Sequence, residues 1–172
     1  MAWYAYKVFW NRSMVVADEL RRQGVATYVP LTEQMVERGG RRVKVQKPLI
    51  SSLLFVDTSA DEARQIQTLM DGRVMLYTRR DAEGRRLPAE IPDREMRIFQ
   101  LVVSGGDEGL EYIPEAEAQL KTGEAVRVIA GPLQGAEGRI VRIRGDRRLL
   151  VEIQGVCAVA TSYIPRALLQ PL

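Results

Sequence analysis

The chain has 172 residues, with 25 Lys plus Arg against 22 Asp plus Glu, no His, one Cys and a formal net charge of +3. Its 46% hydrophobic and 27% charged residues are those of a folded soluble chain, long enough for one medium domain or two small ones. Lacking His, it excludes Ser-His-Asp and Cys-His catalysis and His-based metal sites, while a lone Cys157 excludes an internal disulfide and a structural zinc site.

In chain order, residues 2–10 read as a strand rich in aromatics, with Trp3, Tyr4, Tyr6, Phe9 and Trp10. Asn11 is placed to cap a helix running to about Gln23, with an apolar stripe through Val15, Val16 and Leu20 and a stop at Gly24. Val25 to Val29 is a second strand ending at Pro30. Residues 31–47, with Gly39-Gly40 at their tip, are a long hairpin or a flexible loop. Leu49 to Val56 is apolar enough to be a central strand. Ser59-Ala60-Asp61-Glu62 matches a capping box and opens a helix to Gly72. Val74 to Thr78 is a strand, and residues 79–87 are a charged turn around Gly84. Leu87 to Ile91 is a short edge strand, and Pro92 starts a helix through Met96, Phe99 and Val103. Strands and helices mixed in this order predict an α+β sandwich.

The texture then changes. Ser104-Gly105-Gly106 opens an acidic stretch, and beyond Lys121 only short alternating segments separated by glycine turns remain: 125–129, 138–144, 149–153 and 157–160. Residues 163–169 add a closing turn and strand. These predict a small β-barrel. The expected organisation is a first domain over 1–104, an acidic linker over 105–120 and a barrel domain over 121–172.

Charge follows the same division. Residues 37–47 hold five basic side chains and one acid, as do residues 139–148, whereas residues 104–120 hold five acids and no base. Two basic patches separated by an acidic segment point to a polyanion nearby. Each patch has a plainer explanation: a solvated hairpin tip for the first, and charged edge strands that discourage aggregation for the second (Arg139, Arg142, Arg144, Arg147, Arg148). Cys157 in an apolar strand reads as a buried thiol. The Glu115/Glu117 pair lacks the apolar walls that tune a general acid. No phosphate-binding glycine loop is present. An enzyme is therefore not expected, and no cofactor or metal is implied. No apolar run nears the roughly 20 residues that cross a bilayer, and the first residues lack the pattern of a signal peptide. The cytoplasm is the expected compartment.

The most specific string is Gly123-Glu-Ala-Val126-Arg-Val128-Ile-Ala-Gly131-Pro132-Leu-Gln-Gly135-Ala-Glu-Gly138-Arg-Ile-Val141. By itself it is a strand, a glycine-rich turn and a strand. As a whole it resembles the KOW motif, here on Gly123, Val126, Val128, Gly131, Pro132, Gly135 and Gly138. Trp3-Tyr4, Tyr28-Val29-Pro30 and Pro48-Leu49-Ile50-x-x-Leu53-Leu54-Phe55-Val56 resemble the N-terminal domain of NusG-type transcription factors. Pro48-Leu49-Ile50, the stretch from Ile91 to Phe99, and Tyr163-Ile164-Pro165 look most like the UpxY branch, associated with capsular and surface polysaccharide operons.

The resemblance implies an RRM-like α/β sandwich followed by an SH3-like KOW barrel, in a transcription elongation and antitermination factor. It implies binding to the clamp helices of RNA polymerase through Trp3, Tyr4, Ile50, Leu53 and Phe55. Many relatives carry Phe-Pro-x-Tyr where this chain has Ile50-Ser51-Ser52-Leu53, so the patch is more aliphatic here. It also implies nucleic-acid contact by the loop carrying Arg38, Arg41, Arg42, Lys44 and Lys47. Rho or a small-subunit ribosomal protein is the implied partner of the KOW domain, and the chain is expected to act as a monomer off the membrane. The main alternative is a general KOW-type RNA-binding protein on ribosomal RNA, with steep salt dependence and no polymerase association. A carboxylate- or Arg-based enzyme is the remaining one, and it requires a deep pocket with perturbed acids.

Overall fold

Alternate residues of a strand point to opposite faces, and in the first strand this sorts the aromatics. In the computed structural model, which describes residues 1–105 and 109–172, the chain divides into two units, Met1–Asp93 and Arg94–Leu172. The first contains β1 (Ala2–Val8), α1 (Ser13–Arg22), β2 (Ala26–Tyr28), β3 (Leu31–Arg38), β4 (Arg41–Pro48), β5 (Leu53–Thr58), α2 (Ala60–Leu69), β6 (Val74–Leu76), β7 (Thr78–Arg80) and β8 (Arg86–Pro88). An antiparallel sheet in the order β2-β5-β1-β6 is its centre. Tyr4, Tyr6 and Val8 share a core with Leu54 and Val56 of β5, Val16, Ala17 and Leu20 of α1, and Ala63 and Ile66 of α2. The Tyr6 hydroxyl donates to the Ala63 carbonyl at 2.6 Å, which satisfies a buried polar group and ties β1 to α2.

The N-cap half of the box at Ser59 forms, its hydroxyl accepting from the Glu62 amide at 3.2 Å, whereas the Glu62 carboxylate accepts from the Thr58 hydroxyl rather than closing the box. Such a cap stabilises a helix by about 1 kcal/mol. The start of α1 differs from expectation. Strand β1 ends at Val8, and Phe9–Asn11 is a 3-10 turn with φ of 57° at Trp10 and 54° at Asn11. Arg12, not Asn11, occupies the cap position and makes no capping bond. Asn11, one residue ahead of the cap position, instead accepts from the Ser51 hydroxyl at 2.9 Å. Trp10 leaves the sheet with it and is 75% exposed.

The second unit takes up the rest of α3 (Asp93–Ser104) beyond its first residue, and then β9 (Glu111–Ile113), α4 (Glu115–Leu120), β10 (Ala125–Val128), β11 (Glu137–Ile143), β12 (Asp146–Ile153), β13 (Cys157–Tyr163) and β14 (Leu169–Pro171). The six strands form an antiparallel sheet in the order β14-β10-β11-β12-β13-β9. The sequence pattern puts the break after residue 104; by packing, α3 groups with the six-stranded sheet. Arg94 donates to the Glu137 carboxylate at 2.5 Å, and the Glu95 carboxylate accepts from the Gln154 amide at 2.5 Å.

The acidic stretch departs most from its reading as a linker. Residues 106–108 lie outside the described residues. Beyond them β9 pairs with β13, and Ile113 and Ala118 are buried with Val141, Ile143, Leu150, Ala158 and Ala160. Strand pairing and these two apolar anchors hold the segment on the sheet.

Two glycines of the 123–141 string are required by close approach. A Cβ on Gly123 would lie 1.7 Å from the Ile140 carbonyl oxygen, and one on Gly138 would lie 2.3 Å from that of Leu150. Gly131 and Gly135 have φ of 86° and 92° in the turn that contains Pro132, and Val126 and Val128 are buried.

Candidate functional site

The five residues expected to form one apolar patch are divided by the pleat. Register pairs Trp3 with Asp57, Tyr4 with Val56, Ala5 with Phe55 and Lys7 with Leu53. Paired residues share a face, so Trp3, Leu53 and Phe55 lie opposite Tyr4, which belongs to the helix-side core. Tyr4 and Trp3 therefore cannot form one surface. Leu53 and Phe55 are 2% and 0% exposed, with the Tyr28 ring 5.9 Å from that of Phe55. Ile50, in the turn before β5, is buried too, and Trp3 is the partly exposed member of the set.

Arg38, Arg41, Arg42, Lys44 and Lys47 all come together, exposed, on a hairpin of β3 and β4. Gly39 and Gly40 have φ of 59° and 76°, the two left-handed residues of a type I′ turn. The register runs unbroken from Leu31↔Pro48 to Arg38↔Arg41 and sorts the charges. One face carries Glu33, Met35, Glu37, Arg42, Lys44 and Gln46: Glu37 lies opposite Arg42, and Lys44 reaches Glu33 at 3.9 Å. Its charges cancel. The other face carries Thr32, Gln34, Val36, Arg38, Arg41, Val43, Val45 and Lys47, three cations and no acid. The whole excess charge of the hairpin is on that face. Arg38 lies directly opposite Arg41, a like-charge pair that costs stability in isolation.

The second basic block is also a hairpin, β11 to β12, turning at Arg144 and Gly145 with φ of 50° and 83°. Register again sorts it. Arg139 and Arg148 share a face with Val141 and Leu150, while Arg142 pairs with Arg147 on the other face beside Ile140 and Leu149. The first face is served by acids and carbonyls. Arg139 donates to the Lys121 carbonyl at 2.6 Å, to the Ala118 carbonyl at 3.0 Å and to the Glu152 carboxylate. Glu111 accepts from Arg144 at 2.7 Å and from Arg148 at 3.2 Å. The Arg144 bond, with Arg148 adding its charge, holds the Glu111 carboxyl below the ordinary carboxylate range. In sequence Glu111 reads as part of a solvated linker; no local signal marks it as the counterion of arginines 33 and 37 residues away.

Cys157 is buried as expected, and burial pushes its thiol up to about 12, which leaves it protonated and unreactive at neutral pH.

The family model for NusG, transcription termination factor nusG, matches residues 1–100. No curated protein matches the chain. With more than half its length matched, the chain belongs to the NusG family of transcription elongation and antitermination factors.

Proposed function

We propose that this is an elongation and antitermination factor of UpxY type, which binds the clamp helices of RNA polymerase through its first unit and adds a nucleic-acid contact through one face of the β3–β4 hairpin. The observation that carries the nucleic-acid part is the acid-free face with Arg38, Arg41 and Lys47. Guanidinium and ammonium groups on a narrow ribbon follow a phosphate backbone with little stereochemical demand. Arg42 and Lys44, on the other face beside Glu37 and Glu33, contribute less. The six-stranded sheet with its glycine-rich first hairpin fits a KOW module, and Rho or a small-subunit ribosomal protein is its partner. The factor works in the cytoplasm as a monomer, without enzymatic activity, cofactor or metal, on capsular or surface polysaccharide operons.

Co-purification with the cognate polymerase tests the first part. Trp3→Asp is the variant of choice, because Leu53 and Phe55 are too buried for a carboxylate to be tolerated. Wild type is expected to retain polymerase and Trp3→Asp to lose it; a wild type that brings down none sinks the reading. For the hairpin, R38A/R41A and R42A/K44A remove the same charge. Retention on an elongation complex at moderate salt is expected to fall about tenfold for the first pair and less than about threefold for the second, following the loss of backbone contacts. Equal losses show that bulk charge, not the face, does the work.

A further inference from the structure

Once acids and carbonyls have taken Arg139, Arg144 and Arg148, the second unit keeps an open cleft of about 470 Å³ lined by Lys121, Thr122, Ile140, Val141, Arg142, Arg147 and Arg166. We infer that this cleft is a binding site for the phosphates of a nucleic-acid backbone, separate from the β3–β4 hairpin and independent of the function proposed for it.

Four of the seven lining residues are cationic and none is a carboxylate. They come from four places in the chain: Lys121 after α4, Arg142 on β11, Arg147 on β12 and Arg166 in the 3-10 turn before β14. The fold brings Lys121 and Arg166 to the two arginines of the local basic block. Arg142 and Arg147 are direct cross-strand neighbours. Like charges so placed repel each other, and nothing within the cleft lining offsets this. Among the described residues, the Arg142 guanidinium has one weak bond to the Gly145 carbonyl at 3.3 Å, and the Lys121 ammonium pairs with the exposed Glu117 carboxylate at 3.7 Å. Both are readily exchanged for a phosphate oxygen. Arginine forks bind phosphate bidentately, and the Thr122 hydroxyl supplies one more donor. A single phosphate occupies a small part of such a cleft, whereas successive phosphodiesters reach several cations at once.

The neighbouring face is the internal comparison. Arg139 and Arg148 sit on the same two strands, yet each is partly buried and held by Glu152 or Glu111. Had the block served only to discourage edge-to-edge pairing, no reason would exist to satisfy one face and leave two arginines facing each other on the other.

The test uses the full chain carrying R38A/R41A, so that the hairpin does not mask the cleft. Binding of a fluorescein-labelled 20-nucleotide RNA and of a duplex DNA is followed by anisotropy against salt. Adding R142A/R147A is expected to lower affinity about tenfold at low salt and to reduce the salt slope by between one and two. Adding R21A/R22A, which removes equal charge from the last turn of α1, is expected to change affinity less than about twofold. Equal losses from the two pairs overturn the site, as does absence of binding by the R38A/R41A chain. Inorganic triphosphate, added at the same phosphate concentration, is expected to displace RNA poorly; efficient displacement assigns the cleft to a small polyanion and overturns the backbone reading. R142A/R147A is expected to melt no earlier than its parent, since it relieves repulsion, and a lowered melting temperature counts against the cleft as a binding device.

Discussion

The hairpins β3–β4 and β11–β12 are built alike and are neutralised differently. Each turns on two left-handed residues, each carries five cations in about eleven residues, and each places two arginines directly opposite one another, Arg38 with Arg41 and Arg142 with Arg147. In β3–β4 the counter-acids are Glu33 and Glu37, on the same strand as one of the arginines. In β11–β12 they are Glu152 at the far end of β12 and Glu111, brought from β9 at an edge of the sheet. The local charge of a block therefore says little about which cations are available. Register decides this in the free ribbon, and the folding of a distant acidic segment decides it in the sheet.

The comparison breaks hardest at the glycines. Gly138→Ala forces β11 and β12 apart, because the new Cβ would sit 2.3 Å from the Leu150 carbonyl oxygen. A loss of about 3 kcal/mol or more in chemical denaturation is expected, and the cleft arginines lose their placement with it. Gly39→Ala meets nothing within 4 Å and is strained only by its φ of 59°. A cost of about 1 kcal/mol, with the nucleic-acid contact of the hairpin retained, is expected there. Equal costs for the two variants contradict the difference between a free ribbon and a packed one.

Next in size is the removal of the borrowed acid. In Glu111→Gln, Arg148, whose side chain is 12% exposed and whose Nε already lacks a partner, loses its carboxylate. About 1 kcal/mol of stability is expected to go with it. Arg144 and Arg148 are then released, and nucleic-acid affinity at low salt is expected to rise about two- to threefold. Glu33→Gln on the first hairpin frees only a pair already more than 60% exposed on both sides, and its stability is expected to stay within about 0.5 kcal/mol of wild type. A Glu111→Gln chain as stable as wild type shows that the folded acidic segment is not what holds Arg148.

How much of this the sequence foretells depends on the range of the interactions. Gly39-Gly40 between polar strands carries the hairpin, and alternation about that turn already contains the division of its faces. The same rule separates Trp3 from Tyr4, although a family motif names them together, because adjacent strand residues always diverge. The N-cap at Ser59 is legible because both partners lie within four residues. The acidic segment is not: five acids in seventeen residues look solvated, and among the described residues it is held by Ile113, Ala118 and the pairing of β9 with β13. The closing turn and strand after residue 163 are legible, but that they carry Arg166 to Lys121, Arg142 and Arg147 is announced by no local spacing. The turn at Trp10 and Asn11 escapes a sequence reading for another reason. A run of aromatics extends the strand on paper, whereas the backbone reverses at a residue that rarely adopts positive φ.

The smallest expected effect is the dependence on acid. Glu111 binds its proton less readily in the folded chain than in the unfolded one, chiefly because Arg144 donates to its carboxylate. Its contribution to stability is therefore full above the ordinary carboxylate range near about pH 4.3 and is lost as pH falls through the lower folded value. Arg144 is 66% exposed, so solvent screens the bond and the effect is small. Glu137, held low first by Arg127 and then by Arg94, gives the same unit a background acid dependence of the same sign. The difference between wild type and Glu111→Gln removes that background. Their melting temperatures are expected to differ most at neutral pH and to converge by a few degrees as pH falls toward about 3. A constant gap across that range indicates that Glu111 acts through packing or strand pairing, and that the second hairpin owes its silent arginines to geometry alone.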